Sequence, residues 1–417
     1  MYRSLASVFA LLTGTLFLLA GFGMQGLIMP LRGQAEGFTV GQLGLLGTGW
    51  ASGFVVSCFL SPRLISRVGH VRAFGAFASV GAIVALLSAL IIDPVAWFML
   101  RILTGFVMAG AFMVIESWLN DAATNENRGV IFGMYLMVTY AGITLGQLGA
   151  AFGSTANTSL FIVTGVLYCL ALVPTALSTA ASPKLPAEAK VDIGAIWRNS
   201  PIAAFGCLLI GIANGCFATL GAVYASQIGL TSTNVAIMMS AAVLAGAIIQ
   251  IPVGRFSDKT DRRYVLAAAA TGAALVGLAM ILFQPRSTSL ILLMVAIYGA
   301  LAYSLYSVAV AHANDFADPS NFVKLSSGLL LLYGAGTIVG PLFGALAMEH
   351  IGPEGMFAVT AIAHLLLAGY AMVRSVKRAP IPIGLRRVFR STPSERALTP
   401  QSVRLDPRSE QEQGEAN

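Results

Sequence analysis

Charge is what this sequence has least of. Lys, Arg, Asp and Glu together make up 10% of its 417 residues, against about 25% in soluble globular domains. A chain of this length folded in water would have too few charges to cover its surface, which excludes a soluble globular class. Cysteine is also scarce. Cys58, Cys169, Cys207 and Cys216 each lie inside an apolar stretch, so packing is their expected role and no disulfide framework is implied. The histidines, His70, His312, His350 and His364, are scattered, and HExxH, CxxC and GxSxG are all missing. With no clustered nucleophile or metal site, an enzyme is not expected, nor is any cofactor or metal.

Apolar runs, by contrast, fill the chain, which is 57% hydrophobic. They fall near 8–29, 43–60, 72–92, 95–119, 130–152, 159–178, 201–224, 234–254, 264–284, 288–312, 323–347 and 355–375. Each is about the length a helix needs to cross a ~30 Å hydrocarbon core. Glycine occurs 44 times; in lipid, small residues let helix backbones approach closely. The first run is too long for the apolar core of a signal peptide and no A-x-A site follows it, so it is expected to remain as a span. The expected fold is therefore all-α and polytopic, with twelve transmembrane helices.

The longest polar interruption lies near 179–200 and carries Pro183, Lys184, Pro186, Glu188, Lys190, Asp192 and Arg198. It divides an N-terminal six-helix bundle over 1–178 from a C-terminal one over 201–375. A tail over 376–417, rich in Pro, Arg and Ser, is expected to be disordered. With the amino terminus in the cytoplasm, Arg32 and Arg286 face the other side and Arg101 lies within a span. All the other Lys and Arg of the 25 then face the cytoplasm. The positive-inside rule favours this orientation, which puts both termini inside. It also accounts for the net charge of +7 without nucleic acid, because the basic patches are short loops with no interleaved aromatics.

The two halves repeat. A shift of about 192 residues lays Thr39-Val-Gly-Gln42 over Thr231-Ser-Thr-Asn234, and Ser66-Arg67 over Asp258-Lys259. A shift of about 194 lays Asn120-Asp121 over Asn314-Asp315, and Gly142-Ile-Thr-Leu-Gly146 over Gly336-Thr-Ile-Val-Gly340. A duplicated six-helix unit gives pseudo-two-fold symmetry, and such repeats characterise alternating-access carriers with substrate near the midplane. The glycine runs at Gly47–Gly53 and Gly334–Gly340 are spaced GxGxxxG and follow no strand, so they are not phosphate loops. They place small residues on one helix face.

Three motifs add to this. The loop after the eighth span reads Gly254-Arg-Phe-Ser-Asp258-Lys-Thr-Asp-Arg262-Arg263. Its acid can pair with neighbouring bases and helix ends, making a latch that breaks when a carrier turns. Its first-half counterpart, Pro62-Arg-Leu-Ile-Ser66-Arg67-Val-Gly69, keeps Arg67 and Gly69 but has lost the acid and the leading glycine. The fourth span opens Arg101-Ile-Leu-Thr-Gly105-Phe-Val-Met-Ala109, with Gly105 and Ala109 on one face. Arg101 marks function by default, because a charge inside a span is costly; snorkelling to the interface is the alternative. The same span ends in Glu116-Ser-Trp118-Leu-Asn120-Asp121. Glu116 is either a latch pairing with Arg67 or Arg128, the preferred reading, or a proton carrier.

Together these motifs resemble the major facilitator superfamily over nearly the whole chain to about residue 378. Glu-Ser-Trp near the fourth-span end, Asn127-Arg128-Gly129 before the fifth, Gly146-Gln147 within it and Gly254-Arg-Phe-Ser-Asp258 are similar to its bacterial YcaD-like branch, in the neighbourhood of bacterial riboflavin carriers. The resemblance implies a secondary active transporter in the bacterial inner membrane that moves a small organic solute by alternating access. Its first, fourth, seventh and tenth spans would line a cavity. Gln147 stands where many drug–proton antiporters carry Pro, which argues against that group. Cavity candidates are Gln25, Arg101, Gln147, Asn214, Gln250, Tyr303 and Tyr306, although each amide serves equally well in a helix–helix hydrogen bond. Gating or coupling candidates are Arg67, Glu116, Asp121, Arg128, Gly254, Asp258, Arg262 and Asp315. Uptake is the expected direction, with riboflavin or a similar neutral aromatic vitamin as the first substrate to consider. A proton-coupled exporter and a non-transporting receptor are the alternatives. The expected partners are the solute, protons and the lipid bilayer, with the chain acting as a monomer.

Overall fold

Helix caps written into the sequence set where the chain enters several of the spans. The computed structural model describes residues 2–124, 126–155, 157–177, 193–317, 322–379, 381–382, 386, 389, 391 and 399–405. Among them there is no strand. The helices are α1 (Tyr2–Ala35), α2 (Val40–Val68), α3 (His70–Leu90), α4 (Pro94–Ala122), α5 (Arg128–Gly149), α6 (Ser159–Ala176), α7 (Ile193–Asn199), α8 (Pro201–Gln227), α9 (Ser232–Lys259), α10 (Arg262–Phe283), α11 (Thr288–Asp315), α12 (Phe322–Ile351), α13 (Gly355–Lys377) and α14 (Pro400–Leu405). All but α7 and α14 are long and apolar enough to cross a membrane, which makes twelve.

The aligned repeat segments do the same job in each half. Ahead of α2, Thr39 and Gln42 cap each other. The Gln42 N–H donates to Thr39 Oγ1 at 3.2 Å and the Thr39 N–H donates to Gln42 Oε1 at 2.9 Å, a reciprocal capping box. Ahead of α9, Thr231 Oγ1 accepts from the Asn234 N–H at 3.3 Å. Asp93 before Pro94, and Ser200 before Pro201, accept from Ala96 N–H and Ala203 N–H. Proline in the first turn sacrifices only an N–H that has no helical partner there.

Close packing repeats as well. In the first half α5 lies on α1, and a Cβ at Gly146 would collide with the carbonyl oxygen of Ala20. In the second half α12 lies on α8, and a Cβ at Gly340 would collide with the carbonyl oxygen of Ile212. α6 packs on α3 as α13 packs on α10. Gly105 of α4 meets the Trp50 backbone of α2 as Gly299 of α11 meets Ala242 of α9. The same helix pairs, locked by glycines at equivalent places, give two copies of one bundle.

By contacts the chain forms two compact units. Unit 1 takes residues 1–36, 49–190 and 393–417; unit 2 takes 37–48 and 191–392. This departs from the sequence division in two places. The start of α2 belongs to unit 2, where Gly41 N–H donates to Glu349 Oε1 at 2.8 Å and Thr48 Oγ1 donates to the Ile338 carbonyl at 2.7 Å. The tail region also returns to unit 1. The expectation of disorder from 376 onward differs from what is described of it. α13 continues to Lys377, Arg386 and Phe389 contact unit 2, and α14 packs on α4. Residues 380, 383–385, 387–388, 390, 392–398 and 406–417 lie outside the described residues. In the central loop, residues 179–192 also lie outside them, and 193–199 form α7.

Candidate functional site

Unit 1 buries a polar group between three helices. Tyr168 of α6 donates to Gln25 Oε1 of α1 at 2.8 Å, both side chains being fully buried. The Gln25 amide nitrogen has no hydrogen-bond partner. Arg101 of α4 is 5% exposed and within electrostatic reach of the Tyr168 hydroxyl. Aromatic rings adjoin one turn along α1. Phe22 lies 5.5 Å from Trp50 and 6.4 Å from Phe112, ring centre to ring centre, and Trp50 lies 5.1 Å from Phe54. Gln147 of α5 is buried. Tyr168 escapes sequence reading because a lone tyrosine in an apolar span carries no local signal.

In unit 2, Gln250 of α9 accepts from Ser307 of α11 at 3.3 Å. Tyr303 packs against Phe217 and over Gly246, and Tyr306 meets Tyr333 edge-on at 5.2 Å. Both side-chain polar atoms of Asn214 on α8 are buried without a hydrogen-bond partner.

At the basic end of the helices the two units diverge. Unit 2 assembles the loop motif. Buried Arg262, at the start of α10, bonds Asp315 Oδ2 at the end of α11 at 2.7 Å, Asp258 Oδ1 at the end of α9 at 3.0 Å, and Ser257 Oγ at 2.7 Å. Three of the sequence candidates therefore meet on one guanidinium. Next to it Arg263 pairs with Asp261 at 2.6 Å and donates to the carbonyls of Arg374 and Arg378, capping the end of α13. Burial alone would raise the Asp261 pKa; hydrogen bonds from Arg263 and its charge outweigh this and hold the carboxyl below its ordinary value. Asp258 also accepts the Phe389 N–H on both oxygens, at 3.0 and 3.1 Å, and the Phe389 ring lies on Gly254 where a Cβ would stand.

Among the described residues unit 1 shows no such assembly. Ser66, Arg67 and Asp121 are exposed, and Ser66 donates only to the Arg63 carbonyl. Glu116 is fully buried, but its hydrogen bonds differ from those expected of a latch to Arg67 or Arg128. Tyr135 of α5 donates to Oε1 at 2.8 Å and Thr399, ahead of α14, donates to Oε2. Arg128 donates to Asn120 Oδ1 at 2.6 Å instead. Neither hydroxyl was legible beforehand as a partner, although Thr399-Pro400 is a helix-start signal. His70 and Ser117 bond nearby at 3.0 Å.

A sequence profile of the Major Facilitator Superfamily matches residues 11–311 and 203–407. The chain belongs to that superfamily and is a multi-pass membrane transporter, not an enzyme. It is similar to YcaD, an MFS-type transporter of Escherichia fergusonii, with 28% identity over 356 residues, 85% of this chain and 92% of the relative. The YcaD of Shigella flexneri is 26% identical over 378 residues, 90% and 97% of the two chains. Among solved structures, the nucleoside transporter NupG superposes with a TM-score of 0.73 at 13% identity, covering 89% of this chain and 99% of that one. A bacterial homologue of the human lysosomal transporter Spinster gives 0.68 at 15%, covering 89% and 94%. At these identities the structures share the fold alone.

Proposed function

We propose that the chain takes up a small organic solute across the bacterial inner membrane by alternating access, with the basic helix ends and both termini in the cytoplasm and protons as the coupling partner. The observation that carries this reading is the buried Gln25–Tyr168 pair beside Arg101 and the Phe22, Trp50 and Phe112 rings. A buried donor without a partner costs about 1–3 kcal/mol, and that cost is offset when a solute supplies an acceptor to the Gln25 amide. The rings offer faces to a planar solute. A single cation, Arg101, suits a neutral or singly charged molecule better than a polyanion. In unit 2, Asn214, Gln250, Tyr303 and Tyr306 are the proposed solute contacts. Glu116, Arg128 and the Asp258–Arg262–Asp315 group are the proposed gating residues. The protein is taken to work as a monomer.

Riboflavin has the planar ring and hydrogen-bonding edges that this inventory favours, and is the first compound to test. Expression in a riboflavin auxotroph without its own uptake system is expected to restore growth on limiting vitamin, and Gln25→Ala to remove the rescue while the protein stays inserted. Failure of a well-inserted wild-type chain to rescue would remove riboflavin. A thermal-stability screen returning only phosphorylated or polyanionic ligands would overturn the wider substrate class. Orientation is tested separately with periplasm-active reporters. Activity is expected at Thr155 and none at the carboxyl terminus; the reverse pattern inverts the topology.

A further inference from the structure

The two halves come from one repeat, yet among the described residues only unit 2 shows its loop latch. There Asp258, Arg262 and Asp315 form an ionic group around the buried Arg262 guanidinium, joining the ends of α9, α10 and α11. In unit 1 the residue equivalent to Asp258 is Ser66 and that equivalent to Asp315 is Asp121. Both are exposed. The fully buried acid at this end of unit 1 is Glu116, one turn before Asn120 on α4.

What meets Glu116 comes from the far end of the chain. Thr399 lies 283 residues later and donates its hydroxyl to Glu116 Oε2, while Tyr135 donates to Oε1. Thr399 is held for this task. It caps α14, its Oγ1 accepting from the Gln401 N–H at 3.2 Å and its N–H donating to Ser402 Oγ at 3.1 Å. Pro400 in the first turn fixes the entry. Val403 and Leu405 are buried, and α14 packs on α4. Just upstream, Phe389 is fastened to unit 2 by its N–H on Asp258 and its ring on Gly254.

We infer that the C-terminal segment 399–405 is a releasable plug that replaces the lost first-half latch, closing unit 1 over Glu116 through the Thr399 hydroxyl. The Tyr135 and Thr399 hydroxyls, with Ser402 of α14 also facing Glu116, hold a buried carboxyl group without a cation, and a hydroxyl withdraws at lower cost than a buried ion pair breaks. The two units therefore carry different closures at the same end of the repeat: an ionic group in unit 2 and a detachable peptide in unit 1.

The test uses the purified full-length chain in detergent, with Cys58, Cys169, Cys207 and Cys216 replaced by Ala and one reporter cysteine, V403C. A maleimide reagent measures how often α14 leaves its site. Slow labelling is expected, at least tenfold below that of a cysteine appended after Asn417. Thr399→Val, which keeps the shape and removes the hydroxyl, is expected to speed V403C labelling about tenfold, equivalent to about 1.4 kcal/mol of opening free energy. Thr399→Ser, which keeps the donor, is expected to stay at the parent rate. Size-exclusion profiles matching the parent show that the variants are folded. The plug is overturned if V403C labels as fast as the appended cysteine. The role of the hydroxyl is overturned if Thr399→Val and Thr399→Ser label alike. Neither result depends on which solute is carried.

Discussion

Tyr168 and Gln25 are 143 residues apart in sequence and joined by one 2.8 Å hydrogen bond in the interior of unit 1. In this arrangement the Gln25 oxygen accepts from the Tyr168 hydroxyl and its amide nitrogen has no hydrogen-bond partner. Tyr168→Phe should strand the Gln25 oxygen and lower thermal stability in detergent, on the order of 1 kcal/mol. Adding Gln25→Leu should recover part of that loss, because both members of the pair are then apolar. Additive losses in the double-variant cycle would show that the two side chains do not interact.

The glycine contacts make a second prediction. Gly146→Val and Gly340→Val should each lower the melting temperature and the yield of monodisperse protein, since the added atoms meet the backbones of α1 and α8. Gly133→Ala, with nothing near its Cβ position, should leave the melting temperature unchanged or raise it slightly. Equal tolerance at all three sites would mean that α5 and α12 are not packed as described.

Losing an acid should matter in one half only. Asp258→Ala and Asp315→Ala each leave buried Arg262 short of a carboxylate, so both should be destabilising, Asp315 more so because it is the more buried partner. Ser66→Ala removes one exposed hydrogen bond to a backbone carbonyl and should be nearly silent. Thermal unfolding of the three variants side by side decides the order.

Acid should loosen the cap on α13. The Asp261 carboxyl is held below its ordinary pKa by Arg263, so the folded state binds its proton less readily than the unfolded state. The stability this contributes is present above the unfolded value, about 3.9, and is lost as pH falls through the folded value. The difference in melting temperature between wild type and Asp261→Asn should therefore be steady at neutral pH and shrink below about pH 4. A gap that widens in acid would reverse the sign.

The sequence made the local and repeated features readable. Spans, caps and glycine faces depend on residues within a few positions of one another, so Thr39-Gln42 and Thr231-Asn234 matched as segments and turned out to be caps of equivalent helices. The acids of the loop motif were readable for the same reason, and the repeat singled out Asp315 before it was seen on Arg262. What stayed hidden depends on distant chain segments. Gln25 was an evident candidate and its partner Tyr168 was not. Glu116 looked suited to an arginine because Arg128 is near in sequence, but Arg128 was taken by Asn120 and the carboxylate by two hydroxyls. The tail read as disordered from its composition, which averages over the short Thr-Pro helix start and the two apolar residues that dock it.

Gly254 belongs to a motif usually read as a contact between spans, yet the atoms that crowd it belong to Phe389. Its requirement for the smallest side chain is thus inherited from the tail, and positions 254 and 389 share one constraint. In descendants that have shed or rewritten the tail, position 254 is free to drift toward alanine or serine. Where glycine persists, a bulky ring near position 389 should persist with it, so the history of the tail is recorded in a loop more than a hundred residues upstream.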